Sequence, residues 1–380
     1  MPADVTAESR SQESDKDRAM DMLLQEALVV MAGKDNGRLL LCTDYNLCQQ
    51  ATGNKQTSPQ TLFEDLVQLR KNESSEVFNK DLKQLNQAMQ SNSMFQITGV
   101  DEKAKTVLLT PKESKTVYRM VEDNDGLANI QLGDGEKSEP GASPARLKEI
   151  THDINAEQVR MGHLGNCYFM ANLSSVAEED SNLLKNSLST NKNHYVVKFA
   201  GAQNSPVEIS APTKAEQQVF ARGKDADWVR IFEKANRKLT GKSLIDGGGF
   251  ASDAMQLLTG EKPDHYMLAR GHNDAIFNAM DTAKKSHLAM VVGSKGNATN
   301  GIVEGHFYSV KKFDLDKGEV VLRNPWAFPL SEKNHNPENF PKLGPGTFKM
   351  TVQQFEQQYL EVVIQHKSKN TTYNSAPGSL

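Results

Sequence analysis

Between Asp17 and Ala32 apolar residues recur at spacings of three and four, at Met20, Leu23, Leu24, Ala27, Leu28 and Met31, which predicts an amphipathic helix ending before Gly33. Arg38–Cys42 reads as a short strand. Ser58-Pro59 opens a second helix, with Ser as N-cap, Pro at the first helical position, and Leu62, Phe63, Leu66 and Leu69 as its buried stripe. A third helix runs through Phe78, Leu82, Leu85 and Met89. Met94–Thr98 and Thr106–Thr110 flank Gly99–Lys105 as a hairpin, and Val117–Val121 adds a strand. After a disordered lead over 1–18, residues 19–122 are therefore expected to form a small α+β domain, of no family identifiable from its residues. Residues 123–146, rich in Gly, Asp, Glu, Ser and Pro, read as a linker, and 368–380 as a flexible polar tail.

Further along, the apolar run from Cys167 to Leu173 predicts a helix behind the turn Gly162–Asn166. Leu288–Gly293, His306–Lys311 and Val320–Arg323 predict strands, with 297–304 as the loop between the first two.

The chain has 380 residues, 37% of them hydrophobic and 24% charged, which allows two or three folding units and a sizeable core. A net charge of −4 without any basic run argues against a nucleic-acid partner. The run Met20–Ala32 is too short for a bilayer span, is interrupted by Asp21, Gln25 and Glu26, and lacks the flanks of a signal peptide. A cytoplasmic protein, or one exported without a cleavable hydrophobic signal, is expected. The three cysteines, Cys42, Cys48 and Cys167, suggest neither a disulfide framework nor a Cys-based zinc site.

Cys167 stands at the start of its predicted helix, where unpaired N–H groups and the helix dipole favour a thiolate. A lone intracellular cysteine is also commonly an inert buried hydrophobe, so its partners decide. They lie downstream, in Gly305-His306-Phe307-Tyr308-Ser309-Val310 and Arg323-Asn324-Pro325-Trp326. The order Cys, His, Asn is that of an imidazole that takes a thiol proton and an amide that orients the imidazole.

With these three motifs the chain resembles a calpain-type cysteine peptidase of the papain-like superfamily, over about 147–367. The resemblance implies an α+β, two-lobed fold, with a helical lobe carrying Cys167 and an antiparallel β lobe carrying His306 and Asn324. It assigns catalysis to those three residues. It also likens Tyr195–Ala200 and Val207–Ser210 to the family's paired strands, Asp227–Ala235 to its Trp-containing helix, and Gly346–Met350 with Phe355–Ile364 to its closing strand, helix and strand. Gly247–Gly249, before a helix running to Leu258 and capped by Thr259-Gly260, resembles the glycine stretch of the cleft, so Gly248, Gly249, Gly305 and Trp326 are candidate substrate-site residues. Trp326 is expected to pack over the His306–Asn324 pair.

Two departures stand out. The family's oxyanion-stabilising Gln is replaced by Met161, whose thioether has no proton to donate. Gln158, Arg160 and Asn166 are candidate substitutes, with Gln158 and Asn166 foremost, besides the Cys167 backbone N–H. Asn166 itself replaces the usual Asp, and Tyr168 stands where vertebrate relatives have Trp. The chemistry requires no cofactor or metal. Calcium dependence stays open, since the family's calcium-linked carboxylates do not map as a full set and no Asp-x-Asp-x-Asp-Gly loop is present. The expected function is limited endoproteolysis of protein or peptide substrates. The alternatives are acyl transfer on the same triad, or a pseudopeptidase that binds an extended segment without cutting it. The lack of further regulatory domains points to a microbial protein or secreted effector.

Overall fold

The computed structural model describes residues 95–366, except 112–114, 123–127, 133–142, 241–247, 270 and 328–339, together with scattered positions between 63 and 86. The expected helix over 17–32, the strand at 38–42, Cys42 and Cys48, the lead over 1–18 and the tail over 368–380 lie outside the described residues.

Strands β1 (Phe95–Asp101), β2 (Thr106–Pro111), β3 (Tyr118–Glu122) and β4 (Ala128–Gln131) form an antiparallel meander. Alternation sends Phe95, Ile97, Val107, Leu109, Tyr118, Met120 and Ile130 to one buried face, where Phe63 and Leu66 join them. β4 falls inside the segment expected to be linker. Ile130 is buried and pairs with Met120, and an apolar residue flanked by Asn129 and Gln131 carries little strand signal.

Next come α1 (Pro144–Thr151), whose first turn is capped by the Ser143 hydroxyl accepting from Arg146 N–H at 3.2 Å, and a 3-10 turn at Ala156–Gln158. α2 (Cys167–Glu179) leads through α3 (Ser181–Ser187) into a three-stranded antiparallel sheet of β5 (Leu188–Asn191), β6 (His194–Val197) and β7 (Val207–Ile209). α4 (Lys214–Val219) starts with a Thr213/Glu216 capping box. α5 (Asp227–Thr240) sinks Trp228, Ile231, Phe232 and Ala235 into the core around α2, and α6 (Ala251–Thr259) closes on Gly260 with φ 87°.

The remaining strands are β8 (Asp264–Met267), β9 (Met290–Ser294), β10 (Phe307–Asp314), β11 (Glu319–Arg323), β12 (Lys342–Gly344), β13 (Thr347–Thr351) and β14 (Tyr359–Ile364). They make one antiparallel sheet in the order β12-β13-β11-β10-β9-β14-β8, with α7 (Asp274–Lys285) and α8 (Val352–Gln358) packed on it. Residues of opposite parity serve two cores. Val291, Phe307 and Val363 join the core around α2, while Val292, Tyr308, Val362 and Phe348 pack with Phe277, Met280 and Phe355. α2 thus lies against the face of the sheet that carries Val291, Phe307 and Val363. No helix among the described residues is long and apolar enough to cross a membrane.

Candidate active site

Cys167 is the first residue of α2, half-buried, at the positive end of a helix whose next side chains, Tyr168 to Leu173, are all buried. The residue before it does not cap that helix. Asn166, at φ −121° and ψ 32°, instead donates its Nδ2–H to Glu233 Oε1 at 2.8 Å, and the other oxygen of Glu233 accepts from Ala221 N–H at 2.8 Å. Burial pushes the fully enclosed Glu233 carboxyl up to about 7, against the lowering effect of those two hydrogen bonds.

The turn that delivers Cys167 is held from outside itself. Met161 N–H donates to Pro325 O at 2.8 Å, His163 N–H to Val219 O at 2.7 Å, and Gly248 N–H to Gly165 O at 2.7 Å. Arg222 Nε donates to Met161 O at 3.0 Å, and its guanidinium also reaches Trp326 O. Gly162 is needed for this closeness, because a Cβ there would lie 2.0 Å from Phe220 O. At Gly249 a Cβ would lie 2.5 Å from the Tyr168 ring, so bare backbone passes directly over the residue after Cys167.

His306 immediately precedes β10. Its N–H donates to Ser294 Oγ at 2.9 Å, and its carbonyl accepts from Ser294 N–H at 3.0 Å, which fixes its backbone against β9. Its Nε2 lies 2.9 Å from Asn324 Oδ1, which also accepts from Trp326 N–H at 2.9 Å. That second donor sets the amide orientation, so Nε2 carries the proton and Nδ1 keeps its lone pair. Asn324 N–H donates to Gly346 O at 2.9 Å. The Trp326 ring lies 4.7 Å from the imidazole, centroid to centroid, and Tyr308 meets it edge-on at 5.1 Å. Burial lowers the His306 pKa to about 4 even though the Asn324 bond favours the charged form, so the isolated ring is a neutral base at pH 7.

Of the predicted residues, Asn324 and Trp326 are thus gathered around His306, Gly305 (φ 55°) precedes it at the turn into β10, and Gly248 and Gly249 lie against Gly165 and Tyr168. Gln158 Oε1 accepts from Trp228 Nε1–H at 2.6 Å and from Asn155 N–H at 3.2 Å, closing the 3-10 turn, and Asn166 donates an Nδ2–H to Glu233. Met161 is 3% exposed and belongs to the core around α2.

Residues that sequence reasoning passed over hold this arrangement. Arg323 has no exposed surface. Its Nη2 donates to Val159 O at 2.7 Å, its Nη1 to Ser174 Oγ at 3.2 Å, and its Nε faces Glu157 at 3.6 Å, so the residue before Asn324 ties β11 to the 3-10 turn and to α2. Lys311 spans the same gap to Glu157 at 2.7 Å and Glu178 at 3.1 Å. Phe250, 48% exposed beside the cleft glycines, and the Glu233 bridge were equally unflagged. Glu233 shares the buried face of α5 with Arg230 and Asn236 as well as with apolar residues, so the helix pattern alone gave no signal for it. Among the described residues no group of three or more His, Cys, Asp or Glu side chains is placed to hold a metal ion.

Comparison with known proteins places the chain among cysteine proteases. The chain is 25% identical over 257 residues to the calpain-type cysteine protease DEK1 of Arabidopsis thaliana, an alignment covering 58% of this chain and 12% of that protein. It is 28% identical over 233 residues to human calpain-12, covering 53% of this chain and 32% of the relative, and 25% identical over 225 residues to calpain clp-4 of Caenorhabditis elegans, covering 52% and 30%. The match therefore spans about a third or less of each of these relatives. A sequence profile of the calpain family cysteine proteases matches residues 140–366, well over half of the chain, and the chain belongs to that family.

Proposed function

We propose that this protein is a cysteine endopeptidase acting on protein or peptide substrates, with Cys167 as nucleophile, His306 as base and then acid, and Asn324 as the residue that orients His306. The observation that carries the reading is the 2.9 Å contact of His306 Nε2 with Asn324 Oδ1 beneath Trp326, beside a cysteine-bearing turn bonded to the neighbouring Pro325. In this reading the helices around Cys167 form one lobe and the seven-stranded sheet the other, with Gly248 and Gly249 offering main-chain groups to an extended substrate.

The Cys167 thiol passes its proton to His306 Nδ1, and the thiolate attacks the scissile carbonyl carbon. The imidazolium then protonates the amine nitrogen as the C–N bond breaks, leaving a thioester. Water attacks that thioester while His306 takes its proton, the C–S bond breaks, and the acid leaves with the thiol restored. Negative charge on the tetrahedral oxygen meets the Cys167 backbone N–H at the positive end of α2. No cofactor enters these steps.

Cleavage of peptide mixtures by the full-length protein, read by mass spectrometry, tests the proposal. Defined cuts that vanish with Cys167→Ala, in a folded variant, are expected; cuts retained by Cys167→Ala would overturn it. A second reading, a binding module for extended segments, is favoured by Met161 alone. It predicts peptide binding with no cleavage in the wild-type protein.

A further inference from the structure

The four-stranded sheet and the turn that carries the nucleophile share one core. On the sheet side are Ile97, Val107, Leu109 and Met120; on the other are Leu164, in the turn itself, and Val219 with Phe220 at the end of α4. The segment the sheet packs against is the one that grips the turn. His163 N–H donates to Val219 O at 2.7 Å, and Gly162 sits directly on Phe220 O. Tyr118 on β3 donates its hydroxyl to Gln218 Oε1 at 2.7 Å. One residue beyond Phe220, Ala221 N–H holds the Glu233 carboxylate that receives Asn166.

We propose that the N-terminal sheet is a positioning element for the nucleophile, acting through residues 218–221, with Tyr118 and Leu164 as positioning residues. The turn has little means of fixing its own shape. It contains two glycines, and α2 has no side-chain cap at its start, so its geometry follows from what is pressed against it. Leu164 is 3% exposed and Val219 and Phe220 have no exposed surface, so the sheet, α4 and the turn move together or leave voids. A displacement of about 1 Å at a reacting group costs up to about 10²-fold in rate, so loosening the sheet lowers turnover without touching the cleft.

The kinetic part of this inference rests on the peptidase reading; the mechanical part does not. The test uses full-length protein carrying Ile97→Ala, which thins the shared core, or Tyr118→Phe, which removes the bond to Gln218 and keeps the ring. Three quantities are read: kcat and KM on a peptide substrate, the pH profile of Cys167 alkylation by iodoacetamide, and amide hydrogen exchange over residues 162–166. For Ile97→Ala, kcat falls on the order of tenfold with KM changed by less than about twofold, the alkylation profile moves toward that of an ordinary thiol, and the 162–166 amides exchange faster. Tyr118→Phe gives the same pattern with smaller amplitude, and decides alone if Ile97→Ala does not fold. Faster exchange within the sheet, with kcat, the alkylation profile and the 162–166 amides all unchanged, overturns the proposal. A wild-type protein that cuts nothing would remove the peptidase reading, while exchange over 162–166 in the same variants would still decide the positioning role.

Discussion

The two halves of the candidate site are built in opposite ways. His306 and Asn324 are fixed by neighbours along the sheet: β10 pairs with β11 through Ser309 and Arg323, Ser294 on the adjacent β9 holds the His306 backbone, and the Trp326 N–H sets the Asn324 amide from two residues away. The turn before Cys167 is fixed by residues scattered across the chain, among them Val219, Arg222, Glu233, Gly248 and Pro325. A side chain held by ladder register, as His306 is, is robust to change elsewhere. A turn held by distant contacts, as the one before Cys167 is, is open to modulation from those contacts.

The largest effects break the base side of this contrast. His306→Ala is expected to lower kcat by about 10⁴ or more, because the thiol loses its proton acceptor, whereas Asn324→Ala costs on the order of 10², because it loosens only the ring's orientation. Steady-state kinetics on a common peptide, with near-ultraviolet circular dichroism as a folding control, ranks the two. A larger loss for Asn324→Ala in a folded variant would reverse their assigned roles.

An intermediate effect is expected on the nucleophile side, at Met161. Met161→Gln restores the residue that the resemblance expects as an oxyanion donor and is expected to raise kcat by about ten- to a hundredfold, with KM little changed. A silent or damaging substitution would show that the oxyanion is already served by another group.

The smallest effect separates the two halves by pH. The His306 pKa is depressed below its usual 6.5 to about 4, so its contribution to stability is present above pH 6.5 and is lost as pH falls toward 4. Glu233 is raised from 4.5 to about 7, so its contribution is present below pH 4.5 and is lost as pH rises toward 7, with Arg230 and Arg237 moderating the shift. The slopes oppose each other across mildly acidic pH. Glu233→Gln removes one of them. Asn166 can turn its amide, whose Oδ1 has no hydrogen-bond partner, to accept from the new NH₂ group. The variant is expected to gain a few degrees in Tm at pH 8 and less at pH 5, by thermal unfolding across pH. Equal gains at both values would mean that Glu233 does not titrate in this range.

The same contrast explains what the sequence made legible. The strands of β9, β10 and β11 show apolar patterning within a few residues, and the Cys167, His306 and Asn324 motifs are contiguous strings, so both could be read directly. β4 was lost to a linker because Ile130 stands between the polar Asn129 and Gln131 and shows no alternation that the sequence could betray. α7 was passed over although Ile276, Phe277, Met280 and Ala283 recur at helical spacing. The supports of the nucleophile left no such trace. Arg222, Arg323 and Glu233 act through partners tens to more than a hundred residues away, and a polar residue's distant partner has no periodicity to betray it. Gln158 and Asn166 were suggested as oxyanion donors for their proximity in sequence, and their bonds to Trp228, Asn155 and Glu233 had no sequence signal.

The central claim is that Cys167 and His306 act as one nucleophile–base unit, and the pH dependence of Cys167 alkylation tests it most directly. Labelling by iodoacetamide, located by mass spectrometry in wild-type and His306→Ala proteins, is expected to be fast at Cys167 well below the ordinary thiol pKa of about 8.5, and to revert to an ordinary thiol profile in the variant. A wild-type profile centred near 8.5, or one that His306→Ala leaves in place, would contradict the account.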